Sequence, residues 1–244
     1  MAEFKHEEKE FIFDKKKVCP VCEKNFTTKV LKSSKARRIG SDDDLRPRFE
    51  DIDTIKYGIC SCPNCGYSAS HNIFDNITNV HKKLIRNNVA AMFKPVDRSS
   101  MEIYDYNTAV IIHKMAYMCA AIKGERYGEQ GYYSLLLAWL YRAMGENAKT
   151  EREKKKHKED EERFYAEANT LLSKAAMTET PPIMGLSQAS LDYLLGYMAF
   201  HFGSLDQALR YVGAVLPATV NAPQSLKDKA LELKEKIQAK RSVS

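Results

Sequence analysis

The sequence predicts an α+β protein, a small β module organised by cysteine pairs followed by a larger all-α domain, and three observations carry that expectation. Two cysteine pairs, Cys19-Pro20-Val21-Cys22 and Cys62-Pro63-Asn64-Cys65-Gly66, lie in the first third of the chain. Apolar residues around them recur with the period-two alternation of strands, and after Asn79 the period lengthens to about 3.6. Further on, the stretch from Leu191 to Pro217 carries small residues where a tetratricopeptide helix pair needs them. The division that follows is a zinc-ribbon module over residues 1–75, a connecting helix and loop over 76–100, and a tetratricopeptide-like helical domain over 101–244.

A C-x-x-C on a tight turn points two sulfurs the same way, and two such turns brought together make the tetrahedral S4 cage that Zn²⁺ prefers. Each pair has Pro after its first Cys, and Gly66 follows the last Cys, which suits backbone folding tightly around a metal. A thioredoxin-like redox dipeptide would stand alone, opening a helix after a strand, and neither pair has that context. Cys19, Cys22, Cys62 and Cys65 are therefore the expected ligands of a structural zinc ion. The same pattern also describes a rubredoxin-like FeS4 site, which leaves iron as the alternative metal. Cys60 is an extra thiol near the metal if it lies on a strand, because residues 60 and 62 then share a face; the plainer reading makes it a bystander. His71, six residues past the last Cys, is a weaker candidate ligand and is expected instead at the surface.

Composition sets the bounds. With 44% hydrophobic and 29% charged residues over 244 positions, the chain can bury a real core and is not disordered in bulk. Its net charge of +6 permits contact with nucleic acid without demanding it. Met1 to Lys17 is charged throughout, with Phe11-Ile12-Phe13 as its only apolar run, so no signal peptide is read there, and no stretch is apolar enough to span a bilayer. A cytoplasmic protein with reduced thiols is expected, and the N-x-T matches at Asn25 and Asn76 are read as chance.

Phe11 to Val18 reads as a strand entering the first knuckle, and Asn25 to Leu31, with Phe26, Thr28 and Val30 on alternate positions, as the strand leaving it. Lys32 to Pro47 is polar, with Lys32, Lys35, Arg37 and Arg38 before the acidic run Asp42-Asp43-Asp44 and Arg46 and Arg48 around its end; it reads as a loop. Ile52 to Cys60, with Ile55, Tyr57 and Ile59 in phase, reads as a strand returning to the second knuckle. A module this small needs metal to hold its fold.

The remainder is helical. Val80 to Phe93 presents Val80, Leu84, Val89 and Met92 and stops before Pro95. Ser99 or Ser100 caps a helix from Met101 to Lys123, apolar on nearly every side and so central, with Gly124 ending it and Cys119 as core packing. His113 is expected on a helix surface or a partly buried seam. Gly131 to Met144 is a second apolar helix whose aromatics are read as helix packing rather than a cofactor box. Thr150 to Arg163 interleaves both signs at i,i+4 spacing and continues as an amphipathic helix, so its first half is expected to project into solvent. After the Pro181-Pro182 loop, one helix uses Leu191, Leu194, Leu195, Met198 and Phe202 as its face. Gly203 breaks it, Ser204 restarts with capping-box spacing, and Asn221 to Lys240 closes the chain with Leu226, Ala230, Leu233 and Ile237 as its seam.

In Leu191 to Pro217, Gly196 lies where two helices approach closely, Gly203 at the turn and Ala208 where the second helix crosses the first. Gly131 to Ala175 looks like a degenerate second copy, and helix pairs of this kind stack and leave a groove. The whole chain resembles a bacterial family, mostly Gram-positive, catalogued as a domain of unknown function. The resemblance is carried by Cys19 to Cys22 with Phe26, by Lys35 and Asp42 to Asp44, and by Tyr57 with Cys62 to Tyr67. In the helices it rests on Leu137-Ala138-Trp139-Leu140-Tyr141-Arg142 and Gly203 to Ala208. It implies an N-terminal zinc ribbon joined to tetratricopeptide-like helices, with no activity attached; Cys60 departs from the apolar strand residue expected there.

Three functions follow as expectations. A non-enzymatic scaffold would present a helical groove to a protein or peptide, since an S4 cage keeps no open coordination position and no Ser/His/Asp set, phosphate loop or H-E-x-x-H occurs. A nucleic-acid binder would use Lys32, Lys35, Arg37, Arg38, Arg46 and Arg48 beside Phe26 or Tyr57. A redox protein would hold iron in the cysteine cage.

Overall fold

The computed structural model describes residues 6–124, 126–217 and 219–242; the start of the Met1 to Lys17 stretch, the outer ends of the first and last expected domains, Glu125 and Ala218 lie outside the described residues. Among the described residues, small antiparallel strand pairs are followed by seven helices, an α+β arrangement with the larger part helical.

Strand β1 (Ile12–Val18) pairs antiparallel with β2 (Asn25–Leu31) from Ile12 opposite Leu31 to Val18 opposite Asn25, so the first knuckle sits at the turn of a hairpin. The segment expected to be a loop instead forms a second hairpin, β3 (Arg38–Ser41) on β4 (Pro47–Phe49), with Asp42 to Asp44 at its tip. No alternating apolar pattern announces it, because its tip is held by charge rather than by apolar side chains. The strand expected over Ile52 to Cys60 is also corrected. Asp53 accepts a hydrogen bond from the Ile55 amide and starts a short 3₁₀ helix, Thr54–Tyr57. Only β5 (Ile59–Ser61) is extended, pairing with β6 (Ser68–Ser70) to place the second knuckle at a matching hairpin turn.

Helix α1 (Asn79–Ile85), capped by Thr78, runs into a π-helical turn, Arg86–Ala90. His81, Ile85 and Val89 turn inward, whereas Val80 and Met92, expected inside, are exposed. Helix α2 (Tyr106–Lys123) begins later than expected, because the Asp105 side chain rather than Ser99 or Ser100 accepts the first-turn amide, that of Thr108. Gly124 ends it in the left-handed conformation. The helix buries Ala109, Val110, Ile112, Ala116 and Cys119 but leaves Ile111 57% exposed, so it is one-sided rather than central on all faces.

Helix α3 (Tyr127–Glu146) packs antiparallel on α4 (Glu151–Thr178), which a Thr150–Glu153 capping box starts. The charged start of α4 is exposed from Glu151 to Lys156, and the helix meets α3 from His157 onward, whose ring lies against Tyr141. Of the expected i,i+4 pairs, Lys158 reaches Glu162 at 2.9 Å, while Lys154 and Arg163 pair with acids three residues away. Helices α5 (Gln188–His201) and α6 (Leu205–Val215) form a second hairpin, and α7 (Gln224–Arg241) covers α6 with Leu226, Ala230, Leu233 and Ile237 buried. Phe202 lies outside the buried face of α5, and Ser204 precedes α6 without a side-chain cap bond.

Two glycines set the helix spacing. A Cβ on Gly131 would lie 2.9 Å from Leu172 Cγ, and one on Gly196 2.7 Å from Val212 Cγ2, so each hairpin closes on a residue without a side chain. The largest apolar core is continuous from Phe11, Ile12 and Tyr57 of the N-terminal part to Ile112, Leu137 and Leu172 of the helices. A second core surrounds the cysteines with Phe26, Tyr67, Phe74 and Ile85, and a third joins α5, α6 and α7. No helix among the described residues is long and apolar enough to cross a membrane.

Candidate metal centre

The two knuckles have the same backbone. In the first, the Glu23 amide donates to the Cys19 carbonyl at 2.8 Å and the Cys19 amide to Lys24 at 3.0 Å. In the second, the Gly66 amide donates to Cys62 at 3.0 Å and the Cys62 amide to Tyr67 at 2.8 Å. Each turn closes through a left-handed residue directly after its second cysteine, Glu23 at φ 62° and Gly66 at φ 77°. Glycine is required at the second for a further reason: a Cβ there would lie 2.5 Å from Phe93 Cδ2 and 2.8 Å from Met115 Cε. The segment after α1 closes over that knuckle, with the Val96 amide on the Pro63 carbonyl at 3.0 Å.

The hairpins bring Cys19, Cys22, Cys62 and Cys65 together with all four sulfurs within 4.8 Å of one another. Cys19 and Cys65 approach to 3.6 Å and Cys22 and Cys62 to 3.7 Å, both across the knuckles. A tetrahedron of metal–sulfur bonds of about 2.3 Å has edges of about 3.8 Å, so this donor set fits a thiolate-bound ion. Hydrogen bonds from Cys19 and Cys65 hold the Cys62 thiol far below its ordinary value, while bonds with neighbouring sulfurs push Cys19 and Cys65 upward. Four thiolates this close coexist only around a cation. The cluster is buried except at Cys22, which is partly exposed.

Cys60 is not one of the four. It lies opposite Ala69 in the β5–β6 ladder, and burial pushes its thiol up to about 12. Cys119 is likewise a buried thiol, its sulfur 3.9 Å from the Gly66 carbonyl. His71, expected at the surface, is half-buried. His113 is fully buried rather than on a surface or seam: its Nδ1 lies 2.7 Å from the Ala109 carbonyl, and desolvation drives its pKa down to about 4.

The expected basic array is divided. Lys32 donates to the Glu10 carbonyl, Lys35 is exposed, Arg37 meets Glu50 at 3.5 Å, and Arg38 is exposed, bonded to the Gly40 carbonyl. Arg46 and Arg48 are turned into the protein. Arg46 is buried against Asp53 and Glu146, and Arg48 binds Asp42 and Glu146.

These two arginines belong to a network that reasoning along the chain missed. Asp44, only 1% exposed, accepts the Trp139 indole N–H at 2.8 Å and two bonds from Arg142 at 2.7 and 3.0 Å. Arg142 also binds Asp42 and, at 2.8 Å, Glu161 of α4. Burial opposes the charged guanidinium, yet bonding and attraction from Asp44 and Glu161 raise its pKa overall. Tyr193 of α5 donates to the Asp43 carbonyl at 2.7 Å. The tip of the β3–β4 hairpin is thus clamped to α3, α4 and α5. Its signal was present as two separate motifs, Asp42 to Asp44 and Trp139 to Arg142, which the fold makes into one cluster.

Fold and cluster together define an α+β protein with a four-cysteine site suited to a metal ion, seated against a larger helical part. The chain belongs to the bacterial family described as uncharacterized protein conserved in bacteria (DUF2225), whose model matches residues 12–237. That span runs from β1 into α7 and includes both the cysteines and the Asp44 cluster. No curated protein and no solved structure matches the chain.

Proposed function

We propose that the chain is a non-enzymatic scaffold in which one zinc ion, held by Cys19, Cys22, Cys62 and Cys65, fixes the N-terminal hairpins while tetratricopeptide-like helical hairpins present a groove to a protein or peptide partner. The observation that carries this reading is the sulfur cluster: two hairpin turns supply four sulfurs within 4.8 Å of one another, enough to complete a tetrahedral zinc site, and a metal so enclosed would keep no place for substrate. The zinc supplies binding energy that holds the turns together, on the order of 10 kcal/mol in comparable small sites. Gly131 and Gly196 support the repeat reading, since each lets one helix of a pair close directly on the next. With Arg46 and Arg48 committed to carboxylates, the nucleic-acid reading loses its contiguous basic array.

The test is affinity capture from the native cell's lysate, with and without nuclease, using wild type and a Cys62→Ser, Cys65→Ser double variant. A protein partner that survives nuclease is expected. Turnover of a generic ester, phosphate or peptide substrate that a single substitution abolishes would overturn the scaffold reading.

A further inference from the structure

A cleft of about 570 Å³ lies between the N-terminal part and the helices, bounded by β3, the 3₁₀ helix and β6 on one side and by α3, α5 and the Met184–Leu186 turn on the other. Its size falls in the range of small-molecule sites. Ile55, Leu136, Trp139, Leu186 and Leu194 supply apolar walls. None of the residues lining it is acidic, although the chain carries 32 aspartates and glutamates. At its rim stands Arg38, whose Nε donates to the Gly40 carbonyl of its own strand and which has no carboxylate partner among the described residues. Every other arginine beside the cleft's hairpin, at positions 37, 46 and 48, faces an acid. Thr54, Ser70, His71 and Asn72 add neutral polar groups to the lining, so a mostly apolar cleft with one guanidinium lacking a carboxylate at its mouth complements a ligand with an apolar body and a single negative end.

We propose that this cleft binds a small amphipathic carboxylic acid, its apolar body against Leu136, Trp139 and Leu194 and its carboxylate on Arg38. The site is separate from the cysteine cluster and does not depend on the scaffold reading. It joins the two parts of the protein, so occupancy stabilises their packing by mass action.

Trp139 is the chain's one tryptophan and lines the cleft, so the protein carries its own reporter. The test titrates decanoate, below its micelle concentration, into the metal-loaded full chain by calorimetry and by Trp139 emission. Wild type is compared with Arg38→Gln, an exposed change on β3, and with Leu186→Phe, which narrows the cleft; circular dichroism checks that both variants are folded. One-to-one saturable binding with a shift in Trp139 emission is expected. Arg38→Gln should weaken it about tenfold, the value of a charge-assisted hydrogen bond, and Leu186→Phe should weaken it as well. Failure of wild type to bind decanoate saturably up to millimolar concentration, binding that leaves Trp139 emission unchanged, or an affinity indifferent to Arg38→Gln would each overturn the proposal.

Discussion

Replacing Asp44 with Ala tests whether the hairpin tip is a structural clamp. Asp44 is 1% exposed and accepts from Trp139 Nε1 at 2.8 Å and from Arg142 at 2.7 and 3.0 Å. Its removal strands an indole N–H and leaves part of a buried guanidinium without its nearest anion. Breaking a buried pair costs about 3–5 kcal/mol, and an orphaned donor about 1–3 kcal/mol; the two overlap and do not add. Arg142 keeps Asp42 and Glu161, which lowers the total, so a loss of about 3 kcal/mol is expected. That is a large part of an ordinary domain's stability. The assay is urea unfolding followed through Trp139. Asp43→Ala is the control, because among the described residues the Asp43 carboxylate makes an exposed ion pair with Lys236, both side chains 54% exposed, and its loss should cost under about 1 kcal/mol. Equal midpoints for Asp44→Ala and wild type would refute the clamp.

Other changes separate the remaining claims. Gly196→Ala pushes a methyl to 2.7 Å from Val212 and should destabilise by about 1–3 kcal/mol, whereas Gly213→Ala in the same hairpin meets nothing within 4 Å and should stabilise by up to about 1 kcal/mol; opposite signs in thermal melts check the packing. Gly66→Ala combines a left-handed backbone with a clash on Phe93, and should lose about 2 kcal/mol or more in the same melts together with metal affinity. Burial lowers the His113 pKa from 6.5 to about 4, so the unfolded chain takes up the proton first as pH falls. Stability is full above 6.5 and declines by up to about 3 kcal/mol toward pH 4, and a His113→Gln variant should show a shallower slope over that window in denaturant midpoints. Removing the metal with a chelator should release hydrogen-exchange protection in the β1–β2 and β5–β6 hairpins before it does so in α5 to α7.

The features legible in the sequence were those encoded by local spacing. The two C-x-x-C turns, the β1–β2 hairpin, the Gly124 cap and the four-residue seam of α7 each depend on neighbours within a few positions. The Asp44 cluster was hidden because its partners are about a hundred residues away, at Trp139 and Arg142, and because interleaved Asp and Arg residues look like a solvated loop until the fold desolvates them. Alternation in Ile55, Tyr57 and Ile59 reported burial correctly and backbone incorrectly, since Asp53 turns the chain into a 3₁₀ helix that buries the same side chains. In α1 and its π turn Val89 is inside as expected, but His81 and Ile85 rather than Val80 share its face, because the large apolar side chains there do not mark a single stripe. His113 was misplaced because helix periodicity says which residues share a face, and not that the 3₁₀ helix packs onto that face.

The proposed function stands on one zinc ion that the four cysteines would hold and the N-terminal fold would require. Native mass spectrometry with elemental analysis, on protein purified without chelator, is the deciding measurement. One zinc per chain is expected, lost in the Cys62→Ser, Cys65→Ser variant together with the hydrogen-exchange protection of the β1–β2 and β5–β6 hairpins. A wild-type chain that is folded, carries no metal and titrates with four free thiols at Cys19, Cys22, Cys62 and Cys65 would contradict it, and a red protein with stoichiometric iron would replace zinc in the same cage.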